Sequence, residues 1–188
     1  DSDREYRAAA LKLADRHPSE PATREWLTKL QEVGPEIQAE IIAMLGARGD
    51  NVASDELARR ILSEDKGVRM AAIDAAVKVA GSRAVSPMLE RLRRGAEEGE
   101  IQAIKAALLR VASRQMVKAC ANALDETPPS ARVALLDVLK QRYAKRERRA
   151  VLAQTNAENE AVRRAAIDAL STVAQPNDVP RLAALAVR

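Results

Sequence analysis

Chemistry in this 188-residue chain would have to come from very few side chains. It holds one histidine, His17, and one cysteine, Cys120. A zinc or iron centre needs clustered His, Cys or carboxylate ligands at fixed spacing, and these two residues stand far apart in sequence. His17 falls in "DRHPSE", which reads as a turn with a solvated imidazole. Cys120, in "VKACANAL", falls at an apolar station, where a buried and inert thiol is expected. The carboxylates of "EEGE" (97–100) read as a solvated loop between elements. No Ser-His-Asp order, phosphate-cradling glycine loop or general acid/base pair is present, so the sequence predicts no catalytic residue, no metal and no cofactor.

The local feature with binding chemistry is "KQRYAKRERR" (140–149), six Lys or Arg against one Glu. Lys145, Arg148 and Arg149 fall on one helical stripe, with Arg146 nearby. A charge run is most simply a solvated face, and a surface that attracts an anionic partner is the competing account. Further basic residues, among them Arg59, Arg60, Arg91, Arg94, Lys118 and Arg181, are spread along the chain. Lys and Arg exceed Asp and Glu by 31 to 27, which slightly favours acidic partners and decides nothing about fold.

The elements that carry these residues follow from an internal repeat. "VRMAAIDAA" from Val68 matches "VRRAAIDAL" from Val162, ninety-four residues on. Between and around them lie "YRAAALKLA" at Tyr6, "IQAEIIAML" at Ile37, "IQAIKAALL" at Ile101 and "ARVALLDVL" at Ala131, spaced 31, 31, 33, 30 and 31 apart. Each segment carries apolar residues at helical spacing, and a turn and a second apolar stripe follow, as in Val85, Met88, Leu89 and Leu92. Prolines at Pro35, Pro87, Pro129 and Pro180 suit helix first turns, and Asn177, Asp178 and Ser130 are expected N-caps. A two-helix unit this small cannot bury its apolar face alone and must stack on its neighbours. With no Phe, one Trp and two Tyr, the core falls to Ala, Leu, Val and Ile.

"VRMAAIDAAVKVAGSRAVSPMLERL" (68–92) and "VRRAAIDALSTVAQPNDVPRLAAL" (162–185) resemble HEAT-like repeats of the short bacterial kind, as in phycobilin lyase subunits. The resemblance implies an all-α fold, a right-handed α-α superhelix of about six two-helix repeats, forming one domain over 1–188. It also implies that second helices line a concave face, which here would be basic. It would present Arg59, Arg60, Arg91, Arg94, Lys118, Lys145, Arg146 and Arg149 to a partner. Neither the paired His-Glu motifs of metal-binding HEAT-repeat hydroxylases nor the aromatic and acidic cleft of the HEAT-like alkylpurine glycosylases can be placed on this sequence.

The expected function is a non-catalytic protein-interaction scaffold whose partner has an acidic surface. Binding of nucleic acid by the basic face is the alternative, although Trp26, Tyr6 and Tyr143 provide few stacking platforms. A bilin-lyase-like enzyme subunit follows from the resemblance alone. No apolar run is long enough to span a bilayer, so no membrane insertion is expected. Twelve helices are expected, with Val68, Ile73, Met88, Leu89, Leu92, Ile167 and Leu170 buried. Arg69, Arg132 and Arg163 each precede an Asp by five residues, a spacing that would let them reach the adjacent unit. "DSDREYR" lacks an initial Met and "RLAALAVR" has no polar cap. The first leads to the expectation that a leader or tag was removed or that the chain is an excised segment of something longer. The second leads to the expectation that the natural chain continues or that Leu182 and Leu185 pack against another molecule.

Overall fold

A computed structural model describes residues 2–16, 19–180 and 183, and among these it is helical with no strand. His17, Arg181, Leu182 and Leu185 lie outside the described residues. Two compact units divide the chain, Asp1–Ala112 and Ser113–Arg188. The first holds α1 (Ser2–Arg16), α2 (Glu20–Glu32), α3 (Pro35–Arg48), α4 (Ser54–Arg60), α5 (Lys66–Ala80), α6 (Val85–Arg93) and α7 (Glu98–Arg110). The second holds α8 (Arg114–Asn122), α9 (Pro129–Gln141), α10 (Arg148–Ala153) and α11 (Glu160–Val173). Every one of the six repeat starts falls in an odd-numbered helix, so the sequence period is the period of the fold. The twelfth expected helix would fall on residues that are mostly outside those described.

In the first unit α1, α3, α5 and α7 pack side by side in chain order, with α2 on α3 and α4 on α5. The most extensive contact joins α3 to α5. Gly46 allows it, because a Cβ there would lie 2.5 Å from the Cβ and 2.7 Å from the Cα of Ala75. Ala75 belongs to the repeated "AAIDA". Small residues at this station let neighbouring first helices come together. Leu45, Leu57, Ile61, Met88, Leu92 and Ile104 fill the core between the helices. In the second unit α9 packs on α11, α8 on α9 and α10 on α11, around Met116, Leu135, Leu139, Val151 and Val162.

The helix starts recur with the repeat. Asp65 accepts a hydrogen bond from the Val68 N–H at 2.9 Å, and Asn159 does the same for Val162 at 3.2 Å. Each caps its helix three residues before the repeat start. The caps expected from sequence are corrected. Ser130 lies inside the first turn of α9 behind Pro129, and Asn177 and Asp178 belong to a short 3-10 turn, Pro176–Asp178. Pro35 and Pro129 do open α3 and α9.

Six of the seven expected core residues are buried. Ile167 is the exception, 55% exposed where its counterpart Ile73 is 2% exposed. Arg69 and Ile73 are one turn apart on the side of α5 that meets α7. Among the described residues no helix stands against the same side of α11.

Candidate partner-binding surface

The four basic residues of the first unit expected to bind a partner are held by carboxylates. On α4, Glu56 bonds Arg59 at 2.6 Å and Arg60 at 2.7 Å, and Arg60 also donates to Gln38. Burial alone would raise the Glu56 pKa, but the bonds from Arg60 and Gln31 outweigh it and hold the carboxyl below its ordinary range. Arg94, at the end of α6, bonds Glu90 at 2.8 Å. Arg91 bonds Glu100 at 2.7 Å. The expectation of an exposed row is therefore corrected at two positions: the Arg60 and Arg91 side chains are only 16% and 15% exposed, because each turns inward to a carboxylate.

Glu100 also departs from expectation. It is fully buried in the first turn of α7 and takes hydrogen bonds from Arg69, Arg91 and the Glu97 N–H. Burial raises the pKa of such a carboxyl, yet these donors outweigh it and bring it down from 4.5 to about 2. "EEGE" is thus a helix start, not a solvated loop. The capping-box spacing of Glu97 and Glu100 is the signal that could have revealed it.

The expected ladder of Arg and Asp takes a different form. Arg69 and Arg163 each donate through Nη1 to two carbonyls of the preceding loop, Ser63 and Glu64 in one case, Ala157 and Glu158 in the other. Arg132 donates to the Thr127 carbonyl. The aspartates do reach neighbouring units: Asp74 pairs with Arg110 at 2.7 Å, and Asp168 with Lys140 at 2.8 Å.

In the second unit the cations are arranged differently. The run 140–149 is no continuous helix. Tyr143 sits at φ 51° just beyond α9, and the Ala144 N–H returns to the Leu139 carbonyl at 3.0 Å. Lys145 and Arg146 therefore occupy a turn rather than a helical stripe, and Arg149 is the second residue of α10. Arg148 leaves the group, since it pairs with the largely buried Asp178 at 3.0 Å. The turn and α8 enclose a cleft of about 250 Å³ lined by Arg114, Val117, Arg142, Tyr143, Lys145 and Arg146, with Glu147 as its carboxylate. Lys118 lies one turn beyond Arg114 on α8. Arg114, Lys118, Lys145, Arg146 and Arg149 are exposed, and none pairs with a carboxylate among the described residues. Tyr143 is 70% exposed at its centre. A bulky residue with positive φ is a costly conformation, and such outliers concentrate at functional sites. Sequence reasoning passed over Arg114 and counted Tyr143 only among three stacking platforms.

Cys120 is buried beside Met116, and burial pushes its thiol up to about 12. Among the described residues no three His, Cys, Asp or Glu side chains group as metal ligands would, and no helix is long and apolar enough to cross a membrane.

The stacked two-helix units accord with a family comparison, in which the model of HEAT repeats matches residues 24–109. These residues are HEAT repeats. The match runs from within α2 to the last turn of α7, and the likeness of Val162–Leu170 to Val68–Ala76 carries the same pattern beyond it. It is to HEAT repeats at large and does not single out the phycobilin lyase type. No curated protein matches the chain. HEAT repeats commonly serve as protein-interaction scaffolds.

Proposed function

We propose that this chain is a non-catalytic protein-interaction module, one domain over residues 1–188, and that its second unit holds an acidic segment of a protein partner. One observation carries the reading. Among the described residues Arg114, Lys118, Lys145, Arg146 and Arg149 have no carboxylate partner, whereas Arg59, Arg60, Arg91 and Arg94 are already neutralised within the chain. A cation without an internal partner adds to the attraction of an anion, and several together make a field that weakens with salt. The eight basic residues expected to bind thereby divide into two groups. Lys118, Lys145, Arg146 and Arg149 contact the partner, while Arg59, Arg60, Arg91 and Arg94 serve the fold.

Nucleic acid is the second reading, favoured by the exposed Tyr143 ring among these cations, since an aromatic face stacks on a base. A titration of the full chain with a polyglutamate peptide and with duplex and single-stranded DNA separates the two. The scaffold reading expects saturable peptide binding that is lost in the Lys145→Glu, Arg146→Glu, Arg149→Glu triple variant and kept in Arg59→Glu, Arg94→Glu. Tight DNA binding lost in the triple variant, with no peptide binding, would replace it by the second reading.

A further inference from the structure

The third and sixth repeats carry the same residues at three of the four stations where a first helix meets its successor, but among the described residues only the third is covered. On α5, Lys66 bonds Glu97 at 2.6 Å, Arg69 bonds Glu100 through Nε, and Asp74 bonds Arg110 at 2.7 Å. Those three partners mark the start and the end of α7, and Ile73 between them is buried. On α11 the corresponding residues are Glu160, Arg163, Asp168 and Ile167. Arg163 makes the same pair of loop-carbonyl bonds through Nη1 as Arg69, and its Nε has no acceptor among the described residues. Asp168 remains 63% exposed beside Lys140, and Ile167 lies open in a cleft of about 690 Å³.

The geometry points to this face of α11 as a docking site for one helix of a protein partner, seated as α7 is seated on α5. The covered copy of the same stations specifies the helix. It carries a carboxylate at the third position of its first turn for Arg163, aliphatic side chains for Ile167, and a basic residue in its last turn for Asp168. One position differs. Glu160 stands where α5 has Lys66 and pairs with Arg164 at 2.6 Å, so the cation that meets Glu97 on α5 has no counterpart at this station and the partner helix has an uncharged N-cap. The site is separate from the basic cleft and does not rest on it.

The probe is a synthetic peptide of residues 97–110 with Glu97→Ser, titrated by NMR into the full chain. We expect shifts at Arg163, Ile167 and Asp168, and binding about tenfold weaker or absent when the chain carries Ile167→Glu, because an apolar contact is replaced by a charge. Ile167 is exposed, so that variant should keep its melting temperature. A second arm leaves the chain untouched: Glu100→Lys in the peptide should weaken binding to the same degree by opposing Arg163. The proposal is overturned if the peptide fails to bind at millimolar concentration, or binds equally well in both arms. It is also overturned if the chain forms a dimer that Ile167→Glu dissociates, which would make the occupant a second copy.

Discussion

Glu100 anchors the start of α7 in the first unit. Three donors surround a fully buried carboxylate, so its charge is stabilised in the fold and its protonation opposes folding. The folded pKa of about 2 lies below the ordinary 4.5, which places the stabilisation above pH 5 and its loss between about pH 5 and 2. The shift corresponds to about 3 kcal/mol at neutral pH. Urea titrations of the first unit's unfolding across that pH range should show this loss, and Glu100→Gln should remove most of the pH dependence. Glu100→Ala leaves Arg69 and Arg91 buried without their anion and should cost about 3–5 kcal/mol at pH 7. Cys120 is the opposite case: its thiol is shielded and held protonated, so iodoacetamide at pH 8 should leave it unmodified until denaturant is added. The apolar station of Cys120 announced its burial. For Glu100 the capping-box spacing marks only a helix start; its burial was not announced, because Arg69 and Arg91 come from the preceding repeat.

For the helices, stability is set by devices that recur with the 31-residue period, and each is open to a single substitution. Asp65 and Asn159 cap α5 and α11 at the same station. Replacing either with Ala should cost about 1 kcal/mol, read from denaturant midpoints. Gly46 is a sharper test. In an ordinary helix Gly→Ala is favourable, but here the added Cβ meets backbone and Cβ atoms of Ala75 that cannot move aside. Gly46→Ala should therefore destabilise by about 1–3 kcal/mol, and the sign alone distinguishes the close contact from intrinsic propensity. The six repeat starts were legible because apolar spacing is a local property. The turn at Tyr143 was not, since the basic run extends a helical pattern and only a left-handed residue ends it.

Taken over the whole molecule, a formal charge of +4 conceals an uneven distribution. Cations of the first unit are spent on Glu56, Glu90 and Glu100, while those around Tyr143 face solvent. Reversing Lys145, Arg146 and Arg149 to Glu should abolish capture of an acidic ligand and shift the melting temperature by little, since surface charges outside ion pairs contribute about 0.5 kcal/mol or less. Capture by the unaltered chain should fall as salt shortens the screening length. A ligand whose binding ignores salt would contradict the electrostatic reading.

By itself the sequence determined that the chain is helical and, to within about one turn, where each first helix lies. It could do so because helical periodicity and repeat spacing are written along the chain, one station at a time. Tertiary structure alone decided which charges are consumed. Arg69, Arg91 and Glu100 meet only when consecutive units stack, and the identical pentapeptide "AAIDA" buries Ile73 while leaving Ile167 exposed. The two isoleucines share their local sequence and each lies on the first helix of its repeat. They differ in what stands opposite, and burial is a property of that neighbour.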